Sequence, residues 1–260
     1  MFKYVYILVA PLLLLACQSK KKTDYSEFHK KLKEGNEYLQ RKKAFEAEKI
    51  KQKKDSTFLV YNLVDIQSVD SSIQVDVKYA STDNFMKQKL YQHIDAIYLQ
   101  KDVAERLAKC QQFLKKIHPN YSLLVYDGVR PVSVQQRMWD ALDSIPEGAR
   151  GKFVSNPKNH SVHNYGAAID LTIVDESGIP LDMGAGYDDI RKIAYPSLET
   201  QFLASGELTV EQVDNRKLLR KVMQSQQFRN IPSEWWHFNA YSRDEVKKRY
   251  KVVLEEPALN

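Results

Sequence analysis

Apolar and polar positions along this chain follow two rhythms, and the switch between them marks the elements. Val103, Leu107, Cys110, Leu114 and Ile117 recur every three or four residues, the spacing that gathers side chains on one helix face. Asp102 stands before this stripe as a helix cap, and His118-Pro119-Asn120 ends it, because proline cannot continue a helix. YSLLVYD (Tyr121–Asp127) is a short apolar run and predicts a buried strand. Gly128-Val129-Arg130-Pro131 makes a turn, after which Ser133 caps a second helix toward Leu142. FLVYNLVDI (Phe58–Ile66) and SIQVDVKYA (Ser72–Ala80) predict strands, the second with clear alternation. A further strand is expected from Ala167 to Val174, closed by a DESGIP turn. Thr209 with Gln212 forms a capping-box pattern ahead of a helix reaching Gln227, and FRNIPSEWWHFNAY is a strand-like aromatic segment. Helices and strands alternate without the regular crossover spacing of a parallel sheet. The fold class is therefore α+β.

The first residues follow neither rhythm. An apolar run from Val5 to Ala16 is too short to span a bilayer and has the length of a secretory segment. It ends in Leu14-Leu15-Ala16-Cys17, which resembles the lipobox of bacterial lipoproteins. That resemblance implies cleavage before Cys17 and attachment of lipid to its sulfur. The expected organisation is a signal peptide over 1–16, a lipid-anchored charged tether over 17–55 and one domain over 56–260. The protein is then an exported, membrane-anchored lipoprotein facing the periplasm or cell envelope. Cys110 is left without a partner, so no disulfide framework exists, and its place on the helical stripe makes it a small core residue.

Charge changes the picture once it is located. The net charge is +6, yet residues 20–54 alone hold thirteen Lys/Arg against six Asp/Glu. With Lys3 also set aside, residues 55–260 are slightly acidic. The basic character belongs to the tether, where lysines sit well beside anionic headgroups. A nucleic-acid partner is not expected, since the domain shows no basic groove or stacking platform.

The candidate chemistry lies in two short stretches. SVHNYGAAIDLTI (Ser161–Ile173) places His163 seven residues before Asp170, with Gly166 letting the backbone fold between them. An aspartate inside an apolar strand calls for a partner, because an unpaired buried carboxylate is costly. His237 supplies a second imidazole, and Glu234 precedes it by three residues. Two histidines and a carboxylate make a catalytic zinc set with one position open for water. Side chains three apart in a regular strand face opposite ways, so Glu234 and His237 require a bend at Ser233–Trp235. With that bend Glu234 can serve as general base. His160 is a further imidazole, but a fourth protein ligand would close the site. From residue types alone a structural histidine pair is an equal reading.

Ser161-Val162-His163-Asn164-Tyr165-Gly166-Ala167-Ala168-Ile169-Asp170 fits the pattern S-x-H-x-x-G-x-A-x-D, and Glu234-Trp235-Trp236-His237 fits E-x-W-H. With these motifs the chain resembles the zinc D,D-peptidase family, and within it the D-alanyl-D-alanine dipeptidase branch known from glycopeptide-resistant bacteria. VKYASTDNF (Val77–Phe85), YDGVRP (Tyr126–Pro131), AIDLT (Ala168–Thr172) and DMGAGYD (Asp182–Asp188) add to the likeness, which runs from about Val60 to Tyr241. The resemblance implies a single α+β domain of the zinc D,D-peptidase and Hedgehog type, with a central, mainly antiparallel sheet flanked by helices. It implies one Zn2+ on His163, Asp170 and His237, Glu234 as base, and Arg130 as the stabiliser of the oxyanion. Asp188 then receives the substrate ammonium, with Tyr79 and Ser161 lining the same dipeptide pocket. Trp235 and Trp236 read most simply as wall and core, two large rings shielding the metal from bulk solvent. The implied reaction is hydrolysis of the small dipeptide D-Ala-D-Ala in cell-wall peptide turnover or recycling. A D,D-carboxypeptidase acting on stem peptides and a non-catalytic zinc-containing wall-binding lipoprotein are the rival readings.

Overall fold

The computed structural model describes residues 26–151 and 153–258. The signal segment, Cys17 and the start of the expected tether lie outside the described residues. Helix α1 (Ser26–Leu59) is rich in lysine, glutamate, glutamine and alanine, all good helix formers, and residues 29–49 are exposed. Among the described residues no helix is long and apolar enough to cross a membrane. A compact unit begins at Ile50, so the last turns of α1 belong to it. There Lys54 pairs with Asp95 at 2.6 Å, Asp55 accepts the Tyr98 hydroxyl at 2.7 Å, and Phe58 packs on the Tyr98 ring.

These contacts explain why the strand expected over 58–66 is short. Phe58 and Leu59 finish the helix, and only β1 (Leu63–Asp65) is extended. Along the chain follow α2 (Ile66–Val69), β2 (Gln74–Val75), β3 (Tyr98–Gln100), α3 (Lys101–Ile117), β4 (Ser122–Asp127), α4 (Val132–Asp140) and α5 (Glu147–Arg150). Then come β5 (Ala168–Val174), α6 (Glu199–Ser205), α7 (Val210–Gln224), β6 (Arg229–Ile231), β7 (Glu234–Asn239) and α8 (Arg243–Arg249). The strand expected over 72–80 pairs only at Gln74–Val75, because the chain then winds into a 3₁₀ turn, Lys78–Ala80, that carries Tyr79 inward. Two expected caps also differ. Asp102 lies inside the first turn of α3 and instead accepts the hydroxyls of Tyr241 and Tyr250. The first amides of α4, at Val132 and Ser133, donate to the carbonyls of Val253 and Leu254, which leaves the Ser133 side chain no capping task. The Thr209–Gln212 capping box of α7 forms as expected.

Five strands make the main sheet in the order β2-β4-β5-β7-β6, antiparallel except for the β2–β4 pair. The α+β class and the mainly antiparallel sheet are thus as expected. On one face Leu123, Val125, Ile169, Leu171, Ile173 and Phe238 join the apolar stripe of α3 and the inner face of α7 in the core. Cys110 is part of that core, and burial pushes its thiol up to about 12. The other face of β5 and β7 carries Asp170 opposite His237 and Ala168 opposite Asn239. Alternation does the sorting here: odd residues of β5 build the core while Asp170 faces the site.

Gly166 ends the 3₁₀ turn Val162–Tyr165 with φ +66° and lies against Leu63, where a Cβ would collide with the Leu63 side chain. Leu63 is fully buried and has no room to yield. Gly166→Ala should therefore destabilise the domain by about 2–5 kcal/mol, combining left-handed backbone strain with overpacking. Urea denaturation of the variant beside the wild type checks this.

Candidate active site

His163 stands on the 3₁₀ turn just before β5, Asp170 within β5, and His237 directly across the β5–β7 ladder from Asp170. The ladder thus joins two segments far apart in sequence. His163 Nε2, His237 Nδ1 and Asp170 Oδ1 form a triangle with edges of 3.1, 3.0 and 3.4 Å. Donors placed about 2.0–2.1 Å from a tetrahedral zinc lie about 3.3–3.4 Å apart. The donor set fits that ion in both chemistry and spacing.

The outer nitrogens of the two rings are already engaged. His163 Nδ1 donates to the Gly128 carbonyl at 2.7 Å, and His237 Nε2 donates to Asn239 Oδ1 at 3.0 Å. A carbonyl only accepts, so the proton sits on Nδ1 of His163 and its Nε2 lone pair turns inward. The same logic turns Nδ1 of His237 inward. Such outer partners orient metal-binding imidazoles. Burial opposes charge on Asp170, but the two histidines outweigh it and hold the carboxyl well below its ordinary range. His237 shows the reverse balance: burial disfavours its charged form, while the bond to Asp170 raises its pKa.

Glu234 and His237 share the cavity because β7 does not run regularly. Asn230 of β6 pairs with Phe238, whereas the next residue, Ile231, pairs with Glu234. Trp235, Trp236 and His237 therefore bulge out between two consecutive pairings. The side-chain amide of Asn230 donates to the carbonyls of both Glu234 and His237 at 2.8 Å, bridging the bulge. The bend expected at Ser233–Trp235 thus lies slightly later and inside the strand. Glu234 Oε2 comes to 3.9 Å from His237 Nδ1, and about a third of the Glu234 side chain, 36 %, stays exposed. Burial of the remainder and the nearby Asp170 raise its pKa, against the pull of His237.

Arg130 leaves the turn after β4 and is buried beside this set. Its Nε and Nη2 both reach Asp127 Oδ2, at 2.9 and 2.5 Å, and Nη2 lies 3.4 Å from Asp170 Oδ2. Asp127 faces Asp170 because a register shift after Val125 leaves Tyr126 unpaired. Burial disfavours the guanidinium charge, but Asp127 dominates and raises its pKa. Asp188, at φ +60°, accepts the Tyr79 hydroxyl at 3.0 Å. Burial, then the charge of Asp170, pushes the Asp188 pKa well above the usual carboxylate range. Asp189 does not compete for this place, since it pairs with the exposed Arg191. Ser161 borders the cavity with its hydroxyl donating to Gln135 Oε1 at 2.8 Å.

One expectation needs correction, and His160 behaves as expected. Trp236 borders the cavity, but Trp235 points away from it and donates its indole N–H to the Ala185 carbonyl at 3.1 Å. One ring, not two, walls the site: the bulge over Trp235–His237 breaks the strand's alternation, so Trp236 and His237 border the same cavity while Trp235 is tied to Ala185. His160 stays outside the converging set and lies against Tyr165. Several contributors were not singled out from sequence: Asp127, Asn230, Asn239, Gln135 and Tyr187, whose hydroxyl donates to Asp170 Oδ2 at 3.3 Å. Asp127 carried the signal used for Asp170, a carboxylate on an apolar strand. Asn239 was readable from the two-residue period after His237.

Comparison with known proteins agrees with this geometry. The D-alanyl-D-alanine dipeptidase of Escherichia coli (strain K12) is 33 % identical over 176 residues, covering 68 % of this chain and 83 % of that protein. The enzyme of the same name from Synechocystis sp. is 28 % identical over 57 % of this chain and 71 % of its own. That of Enterococcus faecalis is 29 % identical over 64 % and 85 %. The M15 peptidase family, described as D-ala-D-ala dipeptidase, matches residues 60–255. Matched along nearly all of its folded domain, the chain belongs to the D-ala-D-ala dipeptidase family of M15 zinc metallopeptidases.

Proposed function

We propose that this chain hydrolyses the free dipeptide D-Ala-D-Ala, with His163, Asp170 and His237 holding zinc. The observation that carries the reading is the convergence of that donor set, Glu234, Arg130 and Asp188 on one cavity of about 210 Å³. This volume leaves room for a dipeptide of small residues.

A bound zinc ion supplies Lewis acidity, which polarises the scissile carbonyl and acidifies a water. Glu234 takes the proton of the attacking water and passes it to the leaving amine. A carboxyl with a raised pKa suits both halves of that transfer. Arg130, immobilised by Asp127, directs its remaining N–H groups at the oxygen where negative charge develops. Asp188 receives the substrate ammonium, and Tyr79 fixes its carboxylate. Ser161 lines the dipeptide pocket beside them. Trp236 helps to exclude bulk water. An ammonium anchor this close to the scissile bond favours free dipeptides over longer stem peptides.

Location extends the reading. The Leu14-Leu15-Ala16-Cys17 sequence supports lipidation of Cys17, with the charged segment over 17–55 as tether and the domain facing the periplasm or cell envelope. An enzyme placed there acts in wall-peptide turnover or recycling, outside the reach of a cytoplasmic dipeptide pool.

Three outcomes are expected. The purified enzyme should release D-alanine from D-Ala-D-Ala much faster than from an acylated tripeptide ending in D-Ala-D-Ala; the opposite preference makes it a carboxypeptidase. Glu234→Ala should bind zinc stoichiometrically by metal analysis and lose at least about 10²-fold in kcat. Cys17→Ser should move the protein from the membrane to the soluble fraction and abolish incorporation of radiolabelled palmitate.

A further inference from the structure

The charges on the cavity wall do not balance one another, and the imbalance singles out one side chain. The acids there are Asp170, Asp188, Asp189 and Glu234, and the arginines are Arg130 and Arg243. Asp189 is paired with Arg191, and Arg130 is held by Asp127. Among the described residues the Arg243 side chain makes no ion pair or hydrogen bond, although its charge is felt by Tyr165. It is the uncommitted cation of the cavity.

Its base is firmly placed. Arg243 opens α8, where Ser242 N donates to Glu245 Oε2 at 2.8 Å and Glu245 N donates back to Ser242 Oγ at 3.3 Å. Val246 on the same helix is fully buried, and α8 packs against the turn that carries His163. Asp188 comes from another part of the chain, between β5 and α6, and is held by Tyr79. A zwitterionic dipeptide brings one ammonium and one carboxylate into this space, and a carboxylate withdrawn from water needs a charged donor. Arg130 has two of its nitrogens on Asp127 and faces the reacting carbonyl, so it is a poor receiver for the second charge.

We propose that Arg243 is a specificity-determining residue that receives the C-terminal carboxylate of the substrate. This assignment rests on the dipeptidase reading and adds to it a requirement for a free acid end. The planar guanidinium offers two parallel N–H donors to a carboxylate, which a lysine ammonium does not.

Comparison of D-Ala-D-Ala with its C-terminal carboxamide tests the assignment. Binding is measured by calorimetry on the zinc-loaded Glu234→Gln protein, and turnover on the otherwise unmodified enzyme. Arg243→Ala should weaken binding of the acid about five- to tenfold, the range for a partly exposed charge-assisted contact, and raise KM with little change in kcat. The carboxamide should bind the variant and its parent alike, and Arg243→Lys should restore part of the acid's affinity. Equal losses for acid and amide, or none for either, would overturn the assignment. Arg243 is exposed at the start of a helix, so the variants fold. Should the enzyme bind but not cleave D-Ala-D-Ala, the dipeptidase reading fails, while the acid–amide comparison still decides the role of Arg243.

Discussion

The site depends on a single register in the sheet. Because β5 and β7 pair so that Asp170 faces His237, a carboxylate and an imidazole from segments 67 residues apart meet without any loop having to search for its partner. A slip of one residue would turn Asp170 toward the apolar face and put Ile169 in its place. The slip is blocked by the core itself: in the observed register Ile169, Leu171 and Ile173 join the apolar cluster, and a slip would put Asp170 and Thr172 there instead. Hydrophobic sorting and site assembly are thus the same event, and the position of the site is as secure as the core.

Around that pairing the sheet departs from regularity at two places, both of which serve the site. In β4 the register shift after Val125 brings Asp127 opposite Asp170, where it can hold Arg130. In β7 the bulge over Trp235–His237 brings Glu234 and His237 to one cavity. Neither irregularity stands alone. The Arg130 backbone N–H donates to the His163 carbonyl, and its own carbonyl accepts from Asn164. Asn230 occupies both carbonyls freed by the β7 bulge. Side-chain amides do here what ladder hydrogen bonds do elsewhere, which makes the departures affordable.

Much of this was legible in the sequence. The α3 stripe, the β5 strand and the Thr209 capping box are local patterns, and each appears close to its expected bounds. The convergence of His163, Asp170 and His237 was expected from the motifs, and the ladder supplies the means. Elements governed by distant contacts were less legible. Phe58 read as strand because of its β-favouring neighbours, yet its packing on Tyr98 keeps it helical. Tyr79 read as the end of an alternating strand, but its hydroxyl bond to Asp188 demands a turn. Asn230 gave no signal at all, since an asparagine next to a proline-containing loop reads as ordinary turn chemistry. Its task exists only once the bulge does.

The electrostatic character of the cavity follows from the same placement. Asp127, Asp170, Asp188 and Glu234 gather around one buried guanidinium and two imidazoles, and burial works against the charges of Asp170, Asp188, Glu234, Arg130 and His237. Asp170 stays ionised because both histidines face it, whereas Asp188 has only a tyrosine hydroxyl and a distant arginine, so its pKa rises. The two carboxylates are thereby set apart for different guests. Asp170, held well below the usual carboxylate range between the two histidines, is suited to hold a hard or borderline cation. Asp188, whose carboxyl is pushed up by burial and by the charge of Asp170, stands where a positive group would relieve that cost.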